Sequence, residues 1–119
     1  DFGVTKIGDY TFVACKNLKI VKINCPIIGN SAFSGCTSIE EIDLGEEVVS
    51  IGDYAFSGCV SATKIRLRDK VQTVGVYAFS YCSSAFGIII GSAVESIGSS
   101  AFRGCSDLSV IYYKGSLEE

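Results

Sequence analysis

Apolar and polar residues alternate along this chain in short runs, and the runs recur. Val21/Ile23, Ile42/Leu44, Ile65/Leu67, Ile88/Ile90 and Ile111/Tyr113 each flank a single residue. That is the period of a short strand with one buried face. A second set of apolar pairs, Val4/Ile7, Val48/Ile51, Val71/Val74 and Val94/Ile97, lies further along each run, with Cys25/Ile28 in the corresponding place of the second. These predict another short strand or extended turn per unit.

Between the two sets the columns are sharper still. Gly8, Gly29, Gly52, Gly75 and Gly98 are spaced by 21, 23, 23 and 23 residues. Each is followed at a fixed distance by a Phe (Phe12, Phe33, Phe56, Phe79, Phe102) and then by a Cys (Cys15, Cys36, Cys59, Cys82, Cys105). Self-similarity at such a period is the signature of a solenoid, in which each turn covers the apolar face of its neighbour. Identical strands at a fixed interval then stack in parallel. The boundaries read as repeats over 4–24, 25–47, 48–70, 71–93 and 94–115, one domain with no linker. Asp9, Asn30, Asp53 and Ser99 follow the glycines as candidate helix N-caps, with Val76 the exception. The Y-A-F-S-G-C stretch therefore predicts a single helical turn, stopped by Gly35, Gly58 or Gly104.

The segments I-G-D-Y-A-F-S-G-C, S-A-F-S-G-C-T-S-I-E-E-I-D-L and S-S-A-F-R-G-C-S-D-L-S-V-I-Y-Y-K-G resemble BspA-like leucine-rich repeats, the 23-residue class also called TpLRR. The resemblance covers roughly residues 4 to 115. It implies a right-handed leucine-rich-repeat solenoid with a parallel sheet on the concave face. It also implies a secreted or surface-anchored module for adhesion, with a host or extracellular-matrix protein as partner and no cofactor. The chain departs from the family's pattern in its shortened second repeat and in having a single proline, Pro26.

Composition narrows the chemistry. Ten basic and thirteen acidic residues give a net charge of −3, unlike the basic stripe of a nucleic-acid binder. There is no His, which removes His-based proton transfer and His-ligated metal. No nucleophile elbow, phosphate loop or metal-ligand spacing occurs, so the chain is not expected to be an enzyme or a metal protein. Residues 71–94 carry no charge, but the repeat register runs through them, which argues against a membrane span. The chain also lacks Met, so it is expected to be a fragment or processed form of a longer repeat protein.

Six cysteines suggest a disulfide framework at first sight. Five of them share one repeat column, however, and Cys25 takes a Val column. Parallel Cβ vectors suit the dihedral of a disulfide poorly, so the expectation is a ladder of reduced, buried thiols.

The strand face pointing away from the core is the informative surface. Lys22, Asp43 and Arg66 alternate in sign from repeat to repeat, as do Glu41 and Lys64, and read as register-setting ion pairs. The last two repeats differ. Phe86, Ile89, Val110 and Tyr112 place apolar groups outward, rimmed by Arg66 and Lys114. An apolar patch with an aromatic and a flanking cation is typical of a protein-recognition surface. The candidate binding residues are Arg66, Phe86, Ile89, Val110 and Tyr112. The rival reading is a structural spacer with no ligand of its own. Val4, Ile7 and Phe12 lack a covering turn, so edge-to-edge self-association is expected at the N-terminal end.

Overall fold

The computed structural model describes residues 5–113. Ten strands run in chain order: β1 (Lys6–Ile7), β2 (Ile20–Ile23), β3 (Ile27–Ile28), β4 (Glu41–Leu44), β5 (Ser50–Ile51), β6 (Lys64–Arg66), β7 (Thr73–Val74), β8 (Gly87–Ile90), β9 (Ser96–Ile97) and β10 (Val110–Tyr113). The even-numbered, longer strands form one parallel sheet in the order β10-β8-β6-β4-β2, and the odd-numbered short strands form a second in the order β1-β3-β5-β7-β9. Each turn of the solenoid, here called a rung, contributes one strand to each sheet. The parallel order follows from the repeat itself. A unit of fixed length returns the chain to the same edge in the same direction, so every strand pairs with its equivalent. Val21↔Ile42, Ile42↔Ile65 and Ile65↔Ile88 keep one column in register.

The core lies between the two sheets and the turn segment that joins them. Phe12, Phe33, Phe56, Phe79 and Phe102 stack with centroids 5.1, 5.1, 5.3 and 5.6 Å apart in successive pairs. Phe56 and Phe79 are wholly buried, whereas Phe12 at the first rung is 38% exposed. Ile97, Ile111 and Tyr113 in the last rung occupy core columns and are also exposed. Among the described residues, the core columns are thus more exposed in the first and last rungs than in the middle ones. Val4 lies outside the described residues.

The expected helical turn does not form: no helix occurs among the described residues. Two features explain it. Tyr10, Ser31, Tyr54, Tyr77 and Ser100 sit at φ between 56° and 61°, the left-handed region that a right-handed helix cannot contain. The amides a helix would use internally are also spent on the next rung. Tyr54 N donates to Val76 O at 2.9 Å, Phe56 N to Ala78 O at 2.7 Å and Gly58 N to Ser80 O at 2.8 Å, and the other rungs repeat the pattern. Between these, alternate amides close tight turns within the rung, such as Ser57 N to Tyr54 O at 3.1 Å and Cys59 N to Phe56 O at 3.3 Å. The segment is a stack of turns. Gly58 and Gly104, at φ of 79° and 76°, supply further left-handed positions that suit glycine.

The residues expected as N-caps also act between rungs. Asp9 Oδ1 accepts from Asn30 N, Asn30 Oδ1 from Asp53 N, and Asp53 Oδ1 from Val76 N, at 2.8, 2.8 and 2.9 Å. Val76 has no side-chain acceptor to continue the series.

The recurring glycine has a steric cause. A Cβ at Gly52 would lie 2.7 Å from the carbonyl carbon of Gly29, and one at Gly75 would lie 2.5 Å from that of Gly52. Such approaches do not occur between real atoms, so only hydrogen fits where the chain passes over the previous rung. Gly8 lies in the first rung of the described residues, among which a Cβ there would meet only Thr11 Oγ1, at 3.1 Å.

All six cysteines are free thiols. The column thiols also bridge rungs: Cys36, Cys59, Cys82 and Cys105 donate from Sγ to the carbonyls of Phe12, Phe33, Phe56 and Phe79, at 3.0, 3.5, 3.4 and 3.2 Å. Cys25 is buried among the Val column, with Val48 and Val71. In the shortened rung, Asn24 Oδ1 accepts from Glu47 N at 2.8 Å across the position of the missing residues.

Candidate functional site

The outward face of β2, β4, β6, β8 and β10 lines a groove of about 890 Å³. Strand alternation places its residues. Buried Ile65 and Ile88 face the core, so Lys64, Arg66, Gly87 and Ile89 face the groove. Arg66 pairs in register with Ile89, and Ile89 with Tyr112. Val110 is aligned with Gly87, whose missing side chain leaves room beside Phe86. Arg66, Phe86, Ile89, Val110 and Tyr112 all line this one groove. Val110 and Tyr112 are 57% and 61% exposed. Lys114, expected on the rim, lies outside the described residues.

The expected ion pairs between directly stacked residues are not the ones that form. Lys22, Asp43 and Arg66 are in register, as are Glu41 and Lys64. Instead Asp43 pairs with Arg68 at 3.1 Å and Glu47 with Lys70 at 3.5 Å. Arg68 lies just past the end of β6, and its Nε also donates to Leu44 O at 3.1 Å. That second bond points the guanidinium at rung two, where it reaches Asp43 before Arg66 can. Lys64 and Arg66 are left exposed, presenting their charge to the groove.

The groove thus changes character along the solenoid. Exposed Ile20 comes from rung one, Glu40, Glu41 and Asp43 from rung two, Lys64, Arg66 and Arg68 from rung three, and Phe86, Ile89, Val110 and Tyr112 from rungs four and five. A smaller cleft of about 350 Å³ adjoins it, lined by Glu46, Arg66, Arg68, Asp69, Lys70 and Ile89. Arg68 belongs to both, and the alternation of strand residues gave no signal for it. The sequence signal missed most completely is the tyrosine column: Tyr54 and Tyr77 stack at 5.1 Å with ring planes 3° apart, outside both sheets.

The thiols are the groups whose acidity the fold alters. Burial first, then the neighbouring thiols of Cys36 and of Cys59 with Cys105, pushes Cys59 up to about 12 and Cys82 well above its ordinary value. Burial also raises Cys36 and Cys105. A thiol that resists ionisation is a poor nucleophile, so the ladder is structural. No helix of the described residues is long and apolar enough to cross a membrane.

Comparison with known proteins accords with this geometry. The family model described as BspA type leucine rich repeat region matches residues 5–119 in six copies. A leucine rich cell surface protein from Faecalibacterium prausnitzii superposes with a TM-score of 0.90 at 31% identity, over 97% of this chain and 31% of that one. The T. pallidum leucine rich repeat protein gives 0.88 at 33% identity, over 91% and 51%. A leucine-rich repeat protein from Bacteroides ovatus gives 0.79 at 31% identity, over 92% and 29%. The chain therefore spans about half or less of each of these solved chains. A comparison with curated protein sequences gives no match.

Proposed function

The chain belongs to the BspA-type leucine-rich-repeat family, and on that premise we propose that it is a non-catalytic adhesion module of a secreted or surface-anchored protein, holding a protein partner in the groove of the long-strand sheet. The observation that carries this reading is the convergence of Phe86, Ile89, Val110 and Tyr112 on one face beside Arg66, whose stacked acid is held elsewhere. Outward apolar groups in water are unfavourable, and contiguous ones mark surfaces that a partner covers. Tyrosine suits such a surface because its ring buries a large area while its hydroxyl stays paired. A cell surface location is supported by the description of the F. prausnitzii relative.

The test is a comparison of the chain with its Ile89→Ser/Tyr112→Ser double variant on an immobilised extracellular-matrix preparation. Neither residue enters the core, so the circular dichroism spectrum and the unfolding midpoint stay the same while binding is lost. Equal binding by both proteins excludes the groove. Binding by neither, with both folded, favours a spacer.

A further inference from the structure

The turn stack carries a second feature, separate from the groove. Its residues at the left-handed position form one column, Tyr10, Ser31, Tyr54, Tyr77 and Ser100, fixed in register by the amides that the first four donate to the following rung. A bulky aromatic residue at positive φ is strained and rare. Here it recurs three times on the surface, with Tyr10 63% and Tyr54 44% exposed. Tyr54 and Tyr77 cover one another's inner faces. Ser31 occupies the place where a ring would cover the outer face of Tyr54, and Tyr10 stands one rung beyond. The column thus contains a notch one rung wide, floored by a serine and flanked by tyrosines. Two rung spacings make it roughly 10 Å from one tyrosine position to the next. A planar group halfway across lies about 5 Å from each ring, within the range of aromatic stacking and of cation–π contact.

The neighbouring column sets the charge of the occupant. Asp9, Asn30 and Asp53 immediately precede Tyr10, Ser31 and Tyr54, and all three are exposed. Asp9 and Asp53 each commit one carboxylate oxygen to a backbone amide of the next rung. Two carboxylates beside two tyrosines favour a cation over a neutral ring. A guanidinium can lay its flat faces on both walls while its N–H groups reach the carboxylates, whereas an ammonium is a more strongly hydrated point charge. We propose that the Ser31 notch receives the guanidinium of an arginine from a basic partner protein, stacked between Tyr10 and Tyr54 and paired with the acidic column. This site is independent of the groove, because neither sheet contributes to it.

The experiment is a titration of the whole chain with N-acetyl-arginine methylamide, followed residue by residue in the amide NMR spectrum. The lysine and phenylalanine analogues are run beside it. Saturable shifts are expected at Tyr10, Ser31 and Tyr54, with affinity for the arginine probe roughly threefold or more above that for lysine. Ser31→Tyr fills the notch with the residue its column neighbours already carry at the same φ, and is expected to abolish the shifts while leaving the rest of the spectrum in place. Tyr10→Ala, which removes one wall without touching the core, is expected to weaken them. The proposal is overturned by the absence of saturable shifts, by equal response to lysine, by preference for phenylalanine, or by persistence of the response in Ser31→Tyr or, should that variant not fold, in Tyr10→Ala.

Discussion

Asp43 is held by Arg68 at 3.1 Å and not by Arg66, the residue stacked on it in the sheet. The side chains of the pair are less than a third exposed, so screening by water is incomplete. Arg68 also donates to Leu44 O, whereas Arg66 has neither bond. We expect Arg68→Ala to cost about 1–2 kcal/mol and Arg66→Ala less than about 0.5 kcal/mol, measured by urea unfolding. Equal costs would mean that the two arginines share Asp43.

The same pair tunes the groove. Removing Arg68 releases Asp43 to the arginine stacked on it, which neutralises the exposed cation. Arg68→Ala is therefore expected to weaken the binding measured on the matrix preparation, although the residue lies beyond the strand. Unchanged binding would show that Arg66 contributes no charge to recognition.

The glycine column offers a sharp internal comparison. Gly52→Ala pushes a methyl group into the backbone of Gly29 and is expected to cost about 3 kcal/mol or more. Gly8→Ala meets only a threonine hydroxyl and is expected to stay within about 1 kcal/mol of the parent. A similar loss at both positions would point to a cause other than the rung behind.

Position along the stack also grades the phenylalanines. Phe56 lies between Phe33 and Phe79 with no exposed surface, so Phe56→Ala is expected to cost roughly 3–5 kcal/mol. Among the described residues Phe12 has a stacked ring on one side only and is 38% exposed, and its replacement by Ala is expected to cost less than half as much. Thermal unfolding of the two variants checks the order.

The thiol ladder ties stability to alkaline pH. The folded chain holds Cys59 protonated up to about pH 12, while the unfolded thiol ionises near 9.0. Between these values the unfolded state loses the proton first, so stability is complete below pH 9 and falls as pH rises toward 12. Replacing Cys59 by Ala is expected to flatten that fall. At pH 8, iodoacetamide should modify Cys59 and Cys82 only after denaturation, and mass spectrometry of the denatured, unreduced chain should count six free thiols.

Much of this architecture was legible because the repeat writes each contact five times. Period-two pairs such as Ile42/Leu44 and Ile65/Leu67 named the strands, and one glycine-to-glycine interval gave their order. The turn stack was not legible, since G-x-x-A-F-x-x-C spacing suits a helical turn equally well. What decides between them is a left-handed tyrosine or serine and a set of amides whose acceptors lie on the next rung. In the groove, Ile89 and Tyr112 could be read outward from alternation alone. Arg68 could not, because it lies past the end of β6 and its role comes from the carbonyl it finds on the previous rung.

The column glycines are crowded by the rung behind them, and alternate amides of the stacked turns donate to the rung ahead. Each unit therefore makes the same demand of whatever precedes and follows it, whichever copy that is. A gene encoding such a chain can gain or lose whole units by unequal recombination without creating a mismatched junction. The shortened second unit shows where smaller changes are absorbed: at the corner after β2, where Asn24 bridges to Glu47. Reach in this architecture is set by copy number, and selection can adjust it one turn at a time.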